Sequence, residues 1–260
     1  MVIVGGCQTE QSLSPSSAGG TNRDRGRTAL DTGEGWDPEG WDSVGIDHNR
    51  GLSYIDARLA ADWDKEWGFD STLSYAEHAI VDFIKDSTEY DMEIAEMVMD
   101  SVAQVIAKGK LELEDVLECL DVLHEQDVVS SREVTYLTRL FQFTFDGDTT
   151  SAVFSDSLDS FTKDVLDVEW EEDEILCLTL TGVAVHSWEF RYVGWNWPGQ
   201  PVPTLSFAEE VAQDIGMGAV GALVGSIAPG VGTVGGALCG ALAGSAAVAI
   251  HDIGGYFGWW

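Results

Sequence analysis

Apolar residues recur at helical spacing through the middle of this chain. Ile80, Phe83 and Ile84 share one face, and Ile94, Val98, Val102, Val105 and Ile106 form a second stripe that Gly109 closes. Leu113, Val116, Leu117 and Leu120 begin another helix. Ser130 and Glu133 then have capping-box spacing ahead of Val134, Leu137, Leu140 and Phe141. The spacing predicts a small helical bundle over residues 72–142, with a further short helix carrying Leu158, Phe161 and Val165. Beyond it the alternation has period two. Residues 175–180 and 183–192 predict a β-hairpin turning at Thr181 and Gly182, with Trp188, Phe190 and Tyr192 on one face and Glu189 and Arg191 on the other.

A third pattern follows. Residues 215–251 carry no charged side chain, and no Lys or Arg occurs after Arg191. Pro229 and Gly230 divide the run into arms over 215–228 and 231–250, because proline removes a backbone donor and fixes a bend. Gly232, Gly236, Gly240 and Gly244 recur every four residues in the second arm, as Gly221 and Gly225 do in the first. Such spacing aligns the glycines on one bare helix stripe, so a facing helix approaches to backbone contact. The second arm, at 20 residues, matches the roughly 30 Å hydrocarbon layer of a bilayer, and the first, at 14, falls short of it. Tyr256, Phe257, Trp259 and Trp260 follow as an aromatic end suited to headgroups or to packing on Trp195 and Trp197.

The fold class expected is therefore α+β: an N-terminal helical bundle, a β-hairpin or small sheet, and a C-terminal glycine-zipper helical hairpin. Residues 1–53, rich in Gly, Ser, Asp and Pro, read as a flexible acidic tail. Residues 54–205 read as an acidic α+β domain, and 206–260 as the hydrophobic hairpin.

Charge changes the picture of the surroundings. The chain of 260 residues holds 45 acidic and 13 basic residues, a net charge of −32, with only five lysines. Between Ala61 and Asp214 lie 35 of the acids and 8 of the bases, so the domain before the hairpin carries most of the excess. That sign is wrong for a phosphate backbone, and no nucleic-acid partner is expected. Multimolar salt silences such self-repulsion by shrinking the Debye length to about 3 Å or less. The composition resembles that of haloarchaeal secreted proteins.

Candidate chemistry is sparse. Cys7, Cys119, Cys177 and Cys239 form no CxxC pair, the five histidines are scattered, and no HExxH, GxSxG, Walker A or GxGxxG pattern occurs. Glu77 with His78 and His124 with Glu125 are adjacent on helices and point apart, so they read as solvated faces. Asp62, Asp64 and Glu66 lack EF-hand spacing and also read as solvated. His186 reads as a strand residue and Cys239 as a small core residue. No catalytic residue, metal ligand or cofactor is assigned, and the chain is not expected to be an enzyme.

Two resemblances complete the reading. Val4-Gly5-Gly6-Cys7 resembles a lipobox, which implies lipidation of Cys7. The stretch GMGAVGALVGSIAPGVGTVGGALCGALAG within residues 214–255 resembles the glycine-zipper peptides of small pore-forming bacteriocins, and the layout of acidic domain plus apolar C-terminal segment is similar to halocin precursors. It departs from them in lacking the basic residues of many bacteriocins and the dense cysteines of some halocins. The resemblance covers about a sixth of the chain. It implies a secreted or envelope-associated antimicrobial precursor, a membrane or a second copy of the hairpin as partner, and a processing or immunity protein beside it. The alternative is an envelope lipoprotein or structural protein whose hairpin only packs or anchors.

Overall fold

The computed structural model describes residues 41–62, 67–87, 111–146, 151–171, 174–194, 207–227 and 232–257. The helix expected over 94–106, Gly109, Cys7, the Pro229–Gly230 bend, Trp195, Trp197, Trp259 and Trp260 lie outside them. Eight helices occupy the described residues: α1 Trp41–Asp62, α2 Phe69–Ser87, α3 Leu113–Glu125, α4 Ser131–Thr144, α5 Ser151–Leu166, α6 Leu176–Gly194, α7 Phe207–Ile227 and α8 Gly232–Phe257.

Helix α1 takes in residues 41–53, within the segment read as tail. Its buried stripe runs Val44, His48, Leu52, Ile55 and Leu59, spaced at three and four residues like any core-facing helix. An imidazole on that stripe, with Gly45 and Gly51 beside it, hides the periodicity from a hydropathy reading. Both glycines are functional in packing. A Cβ on Gly51 would press on Leu242 of α8 and lie 2.9 Å from Phe83 of α2, and one on Gly45 would overlap His186 of α6.

The β-hairpin expected over 175–192 does not form. Those residues belong to α6, and the described residues contain no strand, so the chain is all-helical where it is described rather than α+β. Residues 176–185 are all buried, so the helix has no polar stripe, and period 3.6 cannot be read from it. Thr, Val and aromatic side chains also mimic strand composition. Two devices hold the helix. Thr179 and Thr181 return their hydroxyl protons to the carbonyls of Ile175 and Cys177, at 2.8 and 2.7 Å. Glu133, 1% exposed, accepts from the Leu176 and Cys177 amides at 2.9 and 3.2 Å, capping the helix start from α4.

Glu133 has a second task. Its other oxygen accepts from the Ser130 amide at 3.0 Å while the Ser130 hydroxyl accepts from the Glu133 amide at 3.1 Å, closing the capping box at the start of α4. Burial pushes its carboxyl above the usual range, and the backbone hydrogen bonds pull it back in part.

Beside it Glu174 accepts from the Ser130 hydroxyl at 2.7 Å, from Arg132 Nε at 3.0 Å and from Arg132 Nη2. The Arg132 guanidinium holds the Glu174 carboxyl down at about 2. A lowered carboxyl binds its proton less readily when folded, so its contribution is complete above the ordinary value of 4.5 and fades as pH falls toward about 2. Glu174→Gln should therefore lower the melting temperature by a constant amount above pH 5. The gap to the parent chain should close between pH 4.5 and 2, and parallel melts read by circular dichroism check it. A gap that persists at pH 2 contradicts the assignment.

The stripes read from sequence face inward. Ile80, Phe83 and Ile84 of α2, Val116 and Leu120 of α3, Leu137, Leu140 and Phe141 of α4, and Leu158, Phe161 and Val165 of α5 are all buried. An aromatic layer joins α4, α5 and α6: Phe143 meets Phe154 and Phe161, and Phe154 meets Trp188 in a tilted pair at 4.8 Å between centroids. The hairpin α7–α8 runs through the middle of this bundle. Helices α1, α2 and α6 cover α8, and α3, α4, α5 and α6 pack on α7.

Candidate functional site

The two hairpin arms meet backbone to backbone. A Cβ built on Gly221 would overlap the Gly236 carbonyl oxygen and sit 2.9 Å from the Gly240 Cα. One on Gly236 would overlap the Gly221 carbonyl and sit 2.9 Å from the Gly225 Cα. A Cβ on Gly225 would lie 2.6 Å from the Gly232 carbonyl oxygen, one on Gly240 would overlap the Met217 carbonyl, and one on Gly244 would lie 2.7 Å from the Gln213 carbonyl. The partner numbers rise in one arm as they fall in the other, so the arms are antiparallel. Gly232 stands apart. Its own Cβ would meet nothing within 4 Å, and its φ of +67° is what requires glycine at the helix start.

The zipper register continues past its glycines into a polar knot. Counting back along α7 from Gly225, Gly221 and Gly218, the next position on that face is Asp214. The carboxylate is 0% exposed, as are His48 of α1, Ser187 of α6 and Ser245 of α8, so four helices each contribute one sealed polar side chain. Ser245 Oγ lies 2.5 Å from Asp214 Oδ1 and 3.2 Å from His48 Nε2. Ser187 Oγ donates to Asp214 Oδ2, which lies 3.9 Å from His48 Nε2. On the imidazole's other side Nδ1 is 3.3 Å from Asn49 Oδ1, while Asn49 Nδ2 donates to the His186 carbonyl at 2.9 Å.

The Asn49 amide nitrogen donates to the His186 carbonyl, which leaves its oxygen facing His48 Nδ1 as an acceptor. Ser245 stands between the imidazole and the carboxylate, and a hydroxyl can donate to one and accept from the other, so it bridges the two ionisable groups within the sealed site.

Serine, histidine and aspartate also make hydrolytic triads, but the order here is different. A nucleophile is activated when histidine stands between it and the acid. Here the serine stands between histidine and aspartate, and none of the three reaches solvent. The arrangement suits holding helices together.

No family model, curated protein or solved structure matches the chain.

Of the residues singled out from sequence, Gly221, Gly225, Gly236, Gly240 and Gly244 converge on the arm interface. His186 lies on α6 beside α1, with Nδ1 3.9 Å from Glu189 Oε2. Cys239 is buried in α8, and Cys119 is buried in α3 with its thiol 3.4 Å from the Ala219 carbonyl. Burial pushes the Cys119 thiol up to about 12, so it stays protonated and unreactive. Among the described residues no group of three His, Cys, Asp or Glu side chains is placed to hold a metal ion.

The knot itself was missed. One signal was present: a carboxylate on the glycine face of a largely apolar helix has to be buried and satisfied. Its partners, 27, 31 and more residues away, carry no signal in spacing.

Proposed function

We propose that this chain is a salt-adapted carrier that keeps a membrane-active glycine-zipper hairpin in soluble form, as a secreted or envelope-associated halocin-like antimicrobial precursor would. One observation carries the reading. The stretch Gly232–Ile250 is long and apolar enough to cross a membrane, yet 78% of its apolar window is buried inside the bundle. The hairpin it belongs to is enclosed by helices with acidic outer faces, such as the exposed row Glu114, Asp115, Glu118, Asp121 and Glu125 of α3, which packs on α7.

Glycine disfavours a helix by roughly 1 kcal/mol relative to alanine in water, so the hairpin is held by its neighbours and not by propensity. In a bilayer the need to pair every backbone group forces the same helices, and the bare stripe packs equally well there. The sheath and the hairpin thus play separate parts: one supplies solubility in brine, the other an apolar insert.

The test uses the full chain at multimolar KCl with dye-loaded ether-lipid vesicles, before and after limited proteolysis of the acidic helices. Dye release at micromolar protein, rising on proteolysis, is the expected result. Silent vesicles with both preparations sink the proposal. They would favour the second reading, a non-enzymatic envelope or structural protein whose hairpin only packs. The sealed knot speaks for that second reading, because it ties both arms to the bundle.

A further inference from the structure

Asp214 and Ser245 belong to the hairpin, whereas His48 and Ser187 belong to the helices that enclose it. Apolar contacts flank the knot, as where a Cβ on Gly51 would press on Leu242 or one on Gly218 would lie 2.8 Å from Leu180, and a separate pair of buried hydrogen bonds joins Gln213 of α7 to the Leu111 backbone ahead of α3. We infer that the His48–Ser187–Asp214–Ser245 knot is a latch that fastens the α7–α8 hairpin into its sheath, so that breaking it frees the hairpin as a unit while the zipper stays closed. This rests on the reading of the hairpin as a carried element.

Three features make the knot a latch and not simply part of the core. It is the place where a fully sealed carboxylate continues the glycine face of α7, one turn on from the buried Glu210. A well-packed apolar set of the same volume usually serves stability as well as a buried ion pair or better, so a polar cluster there selects one arrangement of helices over others. The hydrogen bonds also divide unevenly. Ser245 stays with Asp214 inside the hairpin, whereas the bonds to His48 and Ser187, like the Gln213–Leu111 pair, must break for the arms to leave.

Taking away one partner leaves the other short of its charge and hydrogen-bond complement in a sealed site, which opens the junction, whereas replacing both with apolar side chains removes the conflict. The zipper glycines bring no side chain to this event. The nearest neighbours of Gly221, Gly225, Gly236 and Gly240 are on the facing arm, so they hold whether the latch is shut or open.

The experiment reads opening in brine without lipid. The native cysteines are replaced with alanine, and a single reporter thiol is placed by Leu242→Cys, at the face of α8 that meets α1 and α2, or by Val165→Cys, inside α5. Each reporter is combined with His48→Leu, Asp214→Leu or both, and labelling by a bulky maleimide is timed. Each single variant should label the 242 thiol on the order of 100-fold faster than the parent and leave the 165 thiol slow, and the double variant should return the 242 thiol to within about tenfold of the parent.

Both reporters opening in step would show general unfolding and overturn the latch, as would a 242 thiol that stays slow in every variant. Because no membrane is present, a latch that moves beside silent vesicles rejects the carrier reading alone. Leaking vesicles with an immobile 242 thiol reject the latch alone.

Discussion

Gly236→Leu should cost this protein its fold. A side chain at that position starts from a Cβ that already overlaps the Gly221 carbonyl oxygen and lies 2.9 Å from the Gly225 Cα, so the obstruction is backbone and cannot rotate away. Even Gly236→Ala has to push the arms apart along their whole length, because neighbouring glycines share the same contact. Overpacking against movable side chains typically costs about 1–3 kcal/mol, and here the neighbour is rigid, so we expect about 3 kcal/mol or more for alanine. That corresponds to a loss of about 10 °C in melting temperature for a chain of this size, and the leucine variant should show no cooperative melt. Gly68→Ala is the matched control: a Cβ there meets nothing within 4 Å, and its melt should move by no more than about 1–2 °C. Thermal melts at multimolar KCl decide the matter. A Gly236→Ala chain that melts with its parent would mean the arms are not in backbone contact.

Salt withdrawal should have an effect of the same size. Along α3 the exposed row places Glu114 four residues from Glu118, and Asp121 four from Glu125, a like-charge spacing that disfavours a helix. The same imbalance extends over a chain with a net charge of −32. In about 10 mM salt the Debye length is roughly 30 Å and charges across the bundle repel one another. At multimolar salt it falls to about 3 Å or less. The whole stability of an ordinary domain, about 5–15 kcal/mol, is within reach of such repulsion. Dialysis from 3 M KCl into dilute buffer should therefore remove the cooperative melt seen by circular dichroism, and restoring salt should bring it back. A melting temperature independent of salt would reject the salt-adapted reading.

Much of this architecture was legible because it was written at short range. The stripes of α2, α3, α4 and α5 announce themselves by spacing within a single helix, as do the Ser130–Glu133 capping box and the four-residue glycine period. Where the reading failed, the environment had erased the local signal. Helix α6 is enclosed on every side over residues 176–185, so nothing distinguishes its faces, and its threonines and valines imitate a strand. Helix α1 puts His48 at a core position, which only makes sense once Asp214 and Ser245 are known to lie against it. His48 and Ser245 are 197 residues apart. Contacts of that kind belong to the fold and cannot be inferred from either segment alone.

The bareness of the arm interface has one more consequence. A conventional helix pair must choose rotamers for every side chain it buries, and the choice depends on what lies around it. Between Gly221, Gly225, Gly236 and Gly240 there are no rotamers to choose. At these four positions docking freezes no side-chain torsions, and the fit is set there by main-chain geometry that water, brine and hydrocarbon leave alike. The hairpin is in this sense a prefabricated part, whose internal order owes nothing to its surroundings once its helices are formed.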